Sequence, residues 1–484
     1  MNRPNSSALS SQSNTFIIAG LMVMTGVTMA AVLAVGGDLG IGSLVAFLPV
    51  LVGLIALIIS NPFYGLMFYI HYSFFFIGLN RYIVGIPLGL SIDAVLFLTT
   101  LSMLFRLNAH NIKKLNNNFF YAGALWFVYT LFEALNPEAT NLAGWLYAVR
   151  GVSFYAIQAI PLTLLLFDKK ENLDSFIKII LVWGTVASLW GWKQINIGTD
   201  PFEDRWLDAG GKTTHILLGQ LRAFSFFSDA GQFGVTMAYV AFLALILSVG
   251  PYKGRQKFIY LIVFVICLVG MGSSGSRGPI FVIFFGGITY LLLIRNFRVL
   301  IPGISIALFV FVFLKFTYIG NTSYQIYRIR TALDPKEASL LVRLSNQEKL
   351  RQYLENRPFG AGIGTTDVWA TRFYPGSALS NLPTDSWFVK IWVENGIVGL
   401  VFYAFSLAIA IVYGVVKIRL LKNPDTRQKM IALYGGLLGI ITASFGNPVF
   451  GQAPLGALMY ISMTMLSTAE TYDEPVDVKS LNHV

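Results

Sequence analysis

The chain has 484 residues, of which 55% are apolar and only 12% charged, and its mean hydropathy is +0.65. Soluble domains carry about 25% charged residues. The composition therefore excludes a cytosolic enzyme, a nucleic-acid-binding module and a disordered chain, and indicates a polytopic membrane protein whose net charge of +11 must be placed relative to the bilayer.

A helix needs about 20 mostly apolar residues to cross a bilayer. On that ruler the chain contains about fourteen candidate spans, near 15–36, 41–60, 62–79, 86–105, 118–135, 149–167, 174–195, 230–249, 257–274, 278–294, 298–316, 388–413, 429–446 and 452–468. The N-terminal MNRPNSSALSSQSN holds one arginine, with no small-residue cleavage site after the first apolar run, so it reads as a signal anchor. Short loops rich in Lys and Arg stay in the cytoplasm. Arg106/Lys113/Lys114, Lys169/Lys170, Lys253/Arg255/Lys257, Arg295/Arg298 and the Lys417–Lys429 stretch all fall on one side of a fourteen-span topology. Both termini then lie in the cytoplasm, and the polar segment 317–387 lies outside. The expected fold class is all-α: a polytopic inner-membrane protein with one large extracytoplasmic loop.

Cys267 is the single cysteine, and His71, His110, His215 and His483 have no spacing that pairs two on one helix face. Neither a disulfide framework nor a His/Cys zinc site is expected. His71 sits in an aromatic, apolar run and reads as a hydrogen-bonded core histidine. AGGKTTH (209–215) resembles half a phosphate loop, but Trp206 occupies the position of the first glycine. No Asp-x-Asp pair is placed outside to hold a divalent cation, so no metal or cofactor is expected.

Arg150, Arg222 and Arg277 each lie flush against an apolar span, where a cation must offset its desolvation. Arg222 opens RAFSFFSDAGQFG (222–234), followed by Asp229, Gly231 and Gly234. It serves either an anionic ligand or a local role, pairing with Asp229 or capping a helix. Arg277 lies in GMGSSGSRGP (270–279), a turn whose successive backbone N–H groups can form an anion nest; the alternative is a turn with one exposed arginine. Converging arginines suit a diphosphate.

Within 334–366, Leu340, Leu341, Leu344, Leu350 and Leu354 recur at helical spacing opposite Arg343, Gln347 and Arg351. This predicts an amphipathic helix near the membrane surface, ended by Pro358. Gly360, Gly362 and Gly364 alternate after it and read as a turn or a glycine-rich ligand loop. In PTDSWFVKIWVENGIVGL (383–400), Asp385 and Ser386 mark a helix start, and Lys390 and Glu394 can pair four residues apart. Asp385 is either a proton acceptor for a sugar hydroxyl or an N-cap.

The order of these motifs resembles the bacterial O-antigen ligase and O-antigen polymerase superfamily over roughly residues 200–440. It runs R-x-x-x-x-F-x-D-x-x-x-F-G, then an S-R-G turn between spans, a large loop with an early arginine and P-x-G-x-G, and an exit into x-E-x-G-I-x-G-L. Members of that superfamily are inner-membrane glycosyltransferases that take a glycan from undecaprenyl diphosphate on the periplasmic side. The resemblance implies that Arg222, Arg277 and Arg343 contact the diphosphate, that Asp229, Lys390, Glu394 and Gly362 support the site, and that Glu394 and Gly396 match the Glu and Gly after the exit motif. Asp385 stands where the ligases commonly carry a histidine proposed as general base. A metal-independent, inverting transfer to a glycan, lipid or protein hydroxyl is the implied reaction. A lipid-linked glycan flippase and a non-catalytic subunit among polysaccharide assembly proteins are the rival readings.

The chain then divides into a cytoplasmic tail 1–14, N-terminal transmembrane helices 15–199, a ligase-like catalytic region 200–446 including the outer loop 317–387, a last transmembrane helix 447–468 and a cytoplasmic tail 469–484.

Overall fold

A computed structural model describes residues 39–83, 88–217, 219–294, 297–321, 324–331, 334 and 336–473. The expected first span at 15–36, both ends of the chain and the Arg295 part of one basic loop lie outside the described residues. The fold is all-α, and among the described residues the β structure is one small antiparallel hairpin, β1 (Ile216–Leu217) with β2 (Gln220–Leu221). The main helices are α1 (Leu39–Ser60), α2 (Pro62–Leu79), α3 (Gly89–Leu104), α4 (Asn118–Phe132), α5 (Leu142–Leu166), α6 (Lys170–Asn196), α7 (Ala230–Ser248), α8 (Gly254–Ser273), α9 (Pro279–Leu293) and α10 (Phe297–Phe316). They continue with α11 (Ala338–Tyr353), α12 (Asp367–Phe373), α13 (Trp387–Leu420), α14 (Pro424–Ala443) and α15 (Leu455–Ser467).

Among the described residues six helices (α2, α5, α6, α7, α8 and α13) are long and apolar enough to cross a membrane. Shorter apolar helices run over 49–60, 89–104, 279–293, 300–316 and 455–467. The protein is a multi-pass membrane protein, with helix bounds close to those expected. Six helices of sufficient length are fewer than the fourteen expected spans: the first expected span lies outside the described residues, and α3, α9 and α15 have only 16, 15 and 13 residues.

The chain forms two compact units. In the smaller (the described residues of 39–69 and 93–107), Ser102 donates to the Ile58 carbonyl at 2.9 Å, around a core of Ile58, Leu66, Tyr69, Leu96 and Met103. The larger (the described residues of 70–92 and 108–473) is built around α7, which is enclosed by protein along nearly its whole length. Without a hydrophobic drive between helices in lipid, close approach comes from small residues. Gly184 lies against Val240, and Gly436 against Tyr239.

In contrast, α13 exposes Ile397, Val401, Phe405, Val412, Val416 and Leu420 on one stripe. Residues 397–420 reach roughly 36 Å at 1.5 Å per residue, enough to cross a bilayer. Before that stretch α13 is broken at Gly396, where φ is +67° and ψ −173°. The Pro358 carbonyl packs directly on Gly396 and accepts from Val398 N at 3.2 Å, leaving no room for a Cβ.

The predicted amphipathic helix is α11, but its leucines divide. Leu350 and Leu354 are buried with Ala361, Leu379 and Val393, whereas Leu340, Leu341 and Leu344 are exposed. The N-terminal part of α13 supplies the partner surface for the buried pair. Gly360, Gly362 and Gly364 all have positive φ, +78°, +85° and +94°. They wrap the chain onto the α13 break, with Ala361 N donating to the Val393 carbonyl at 2.8 Å. This is a packing strap, which is more than a plain turn.

Candidate active site

The turn between α8 and α9 is the foundation. Ala223 N donates to the Ser273 carbonyl at 3.0 Å, fastening the segment before α7 to the turn. Arg222 then reaches over it, donating through Nε to the Ser274 carbonyl (3.0 Å), through Nη1 to the Thr214 carbonyl (3.0 Å) and through Nη2 to Ser276 Oγ (2.5 Å). Arg328 Nε donates to the Gly275 carbonyl at 3.2 Å. Asp229 is the N-cap of α7, accepting from Gln232 N at 2.8 Å. Capping, one of the local roles open to this segment, thus belongs to Asp229.

Arg277 points to the start of α11. Its Nη1 lies 2.7 Å from Glu337 Oε1 and its Nη2 donates to Ser339 Oγ. Glu337 is the N-cap of α11, accepting from Leu340 N at 3.0 Å. Burial alone would raise the Glu337 carboxyl, but the bonds from Ser339, Arg277 and Leu340 N outweigh it and hold it down to about 2. Ser339 and Arg343 are four residues apart, so one face of α11 carries both. Arg343 Nε lies 3.7 Å from Asp385 Oδ2, and the two side chains are 34% and 36% exposed. Gly446, just past α14, lies against the Arg343 guanidinium.

Asp385 is not the cap of α13. That position belongs to Ser386, whose side chain accepts from Val389 N. Asp385 itself has φ +53°, a left-handed conformation that non-glycine residues adopt at a cost of roughly 1–3 kcal/mol. Its pKa is raised, chiefly by burial and further by Asp367, with Arg343 acting in the opposite sense.

What holds Asp385 in place was not visible as a motif. Thr384 donates to the Asp367 carboxylate through both N (3.2 Å) and Oγ1 (3.0 Å). Asp367 has φ +52°. Burial would raise its pKa, but Lys390 and the Thr384 bonds lower it below the ordinary value. Lys390 Nζ lies 3.2 Å from Asp367 and 3.3 Å from Glu394, with Thr366 Oγ1 at 3.1 Å. Glu394 also accepts from Thr366 Oγ1 (2.6 Å) and Gly364 N (3.2 Å). The expected Lys390–Glu394 pair is therefore the base of a buried network under Asp385. No sequence signal singles out Asp367: its Thr-Asp dipeptide recurs at 384–385 but also at 199–200.

The structure thus joins Arg277 and Arg343 through α11, Arg343 to Asp385 directly, and Arg222 to the residue beside Arg277. Gly362 stands apart as a packing residue against Asn136 and Ala139. His71 accepts from Trp183 Nε1 at 2.8 Å, hydrogen-bonded as expected but half-buried rather than in the core. Chemically, the site pairs one guanidinium, Arg343, with the part-exposed Asp385 carboxylate, and links Arg277 to the same helix through Glu337 and Ser339.

Residues 262–404 match the family model described as O-antigen ligase. That segment contains Arg277, Arg343, Asp367, Asp385, Lys390 and Glu394, whereas Arg222 precedes it. The chain is also 27% identical over 199 residues to an O-antigen polymerase of Salmonella muenchen. Over these segments the chain is similar to O-antigen ligases and polymerases. The alignment covers 39% of this chain and 46% of the Salmonella protein, so the chain spans about half the length of that curated relative. The ligase-like match begins inside α8 and ends inside α13, the two helices that flank the turn, α11 and the Asp385 loop.

Proposed function

We propose that the protein is a glycosyltransferase that moves a glycan from undecaprenyl diphosphate to an acceptor hydroxyl at the periplasmic face of the inner membrane. The observation that carries this reading is the 3.7 Å contact between Arg343 and the part-exposed Asp385, on the same helix that holds Arg277. In the reaction, the acceptor oxygen attacks the anomeric carbon while the bond from that carbon to the diphosphate oxygen breaks. The hydroxyl proton passes to Asp385, and undecaprenyl diphosphate leaves. Arg277, Arg343 and Arg222 stabilise the charge that develops on the leaving oxygen, the role that preorganised donors fill in acyl and phosphoryl transfer. Single displacement inverts the anomeric configuration.

For Arg277 to serve, a diphosphate must replace Glu337 as its partner. The Glu337–Arg277 pair then acts as an anionic placeholder at the site. The relationship to an O-antigen polymerase favours a second lipid-linked glycan as acceptor over lipid A core. The test is transfer by purified protein in detergent, with undecaprenyl-diphosphate-linked glycan as donor and EDTA present. Product formation by wild type and its loss in Asp385→Ala support the reading. Binding of the donor with no transfer to any supplied acceptor moves the protein to the flippase class.

A further inference from the structure

The far end of α13 from Asp385 carries a second, different cationic feature. A cavity of about 430 Å³ is lined by Arg419 at the end of α13, Lys422 in the linker, and Arg427 and Gln428 on α14, with Pro251, Ile294 and Ile431 as apolar walls. Four other lysines at this end have a carboxylate partner. Lys417 pairs with Glu470 at 2.6 Å, Lys429 with Asp174 and Asp425 at 2.6 and 2.7 Å, Lys170 with Asp425 at 3.4 Å, and Lys114 with Asp168 at 2.8 Å. Among the described residues, no ion pair joins Arg419, Lys422 or Arg427. The Asp473 carboxylate, from beyond the last helix, accepts from the Lys422 and Asn423 backbone N–H groups at 2.8 Å each. The buried Nε of Arg427 has no hydrogen-bond partner. A buried guanidinium N–H left unpaired is costly, and an incoming acceptor atom would remove that cost.

The apolar surroundings select the kind of anion. Val412, Val416 and Leu420 form an exposed stripe on α13 that ends at the cavity, and Leu292 is exposed on α9 just before Ile294. A soluble anion would use the cations alone. An amphiphile would use the cations and the stripe together.

We infer that this cavity is a binding site for the phosphate headgroup of an anionic phospholipid, with its acyl chains along the α13 stripe. Phosphate oxygens accept from Arg419, Lys422 and Arg427, and basic cavities between helix ends are a known form of headgroup recognition. The site is independent of the proposed transfer reaction, because it shares no residue with the Asp385 cluster.

The test uses delipidated full-length protein in mild detergent, titrated with phosphatidylglycerol, cardiolipin or phosphatidylethanolamine and read by native mass spectrometry. Inorganic phosphate and diphosphate are run as competitors. The two anionic lipids are expected to bind in preference to phosphatidylethanolamine. Each neutralised cation should cost roughly fivefold and Arg419→Gln/Arg427→Gln roughly 25-fold. Lys422→Gln, on the exposed linker, is a second variant that does not depend on helix integrity. Wild-type lipid retention by both variants would overturn the proposal. Equal protection by free phosphate or diphosphate, with displacement of the lipid, would also overturn it by identifying a soluble anion as the ligand.

Discussion

The two ends of α13 are both rich in charge, yet they are organised in opposite ways. At the Asp385 end three cations meet carboxylates, Arg277 with Glu337, Arg343 with Asp385, Lys390 with Asp367 and Glu394, while Arg222 and Arg328 are held by carbonyl and hydroxyl oxygens. At the Leu420 end the cavity cations have no such partner among the described residues, while their neighbours do. Internal pairing fixes geometry and tunes proton affinity, as a site for chemistry requires. Unpaired convergence leaves charge for a ligand from outside. Net charge alone does not separate these cases; the partner of each cation does.

The comparison is broken most severely by removing the carboxylate proposed as the base. Asp385→Asn is expected to lower transfer by roughly 10²–10⁴, the usual contribution of a general base. The protein should still assemble, because Ser386 keeps the cap of α13. Retention of wild-type turnover would remove Asp385 from the chemistry. Arg277→Gln comes next, with a loss of roughly 10²–10³ in the rate constant, as for one oxyanion donor. Glu337→Gln is the companion variant: it frees Arg277 and should tighten donor binding, measured as a lower KM for the lipid-linked substrate.

A structural variant probes the frame between the two ends. At Gly396 a side chain must adopt φ +67° and meet the Pro358 carbonyl. Gly396→Ala is therefore expected to cost about 1–3 kcal/mol, seen as a lower Tm in detergent. An unchanged Tm would mean that the α13 break does not depend on the Pro358 contact.

Much of this arrangement is legible in the sequence where one physical constraint dominates. Bilayer thickness sets the length of α7 (expected 230–249, found 230–248) and α8 (expected 257–274, found 254–273). Arg222 and Arg277 stand out because charge beside an apolar run is costly, whereas Arg343 and Asp385 stand out through the amphipathic-helix and helix-start patterns and the family resemblance. Asp367 escapes the same reasoning. Its link to Asp385 runs through Thr384 and depends on two aspartates in left-handed conformations, which few non-glycine residues adopt and no pattern in the sequence marks. The leucines of α11 mislead for a similar reason. Helical periodicity places Leu344 and Leu350 on the apolar side of α11, but only tertiary contact with Val393 decides that Leu350 is buried.

The finest test concerns how the paired end sets its proton affinity. A base works ionised, and burial places the Asp385 pKa above the ordinary 3.8, so the acid limb of the pH–rate profile should lie above that value. Two charges face Asp385 with opposite sign. Asp367 raises its pKa by repulsion, and Arg343 lowers it by attraction. Asp367→Asn removes the repulsion while leaving Thr384 an amide oxygen to bond, so the limb should move to lower pH. Arg343→Gln removes the attraction, so the limb should move to higher pH. A merely structural role for either residue would reduce the plateau rate and leave the limb where it is. Opposite displacements in the two variants identify Asp385 as the titrating group, because no residue with a different set of neighbours responds to both changes in that way.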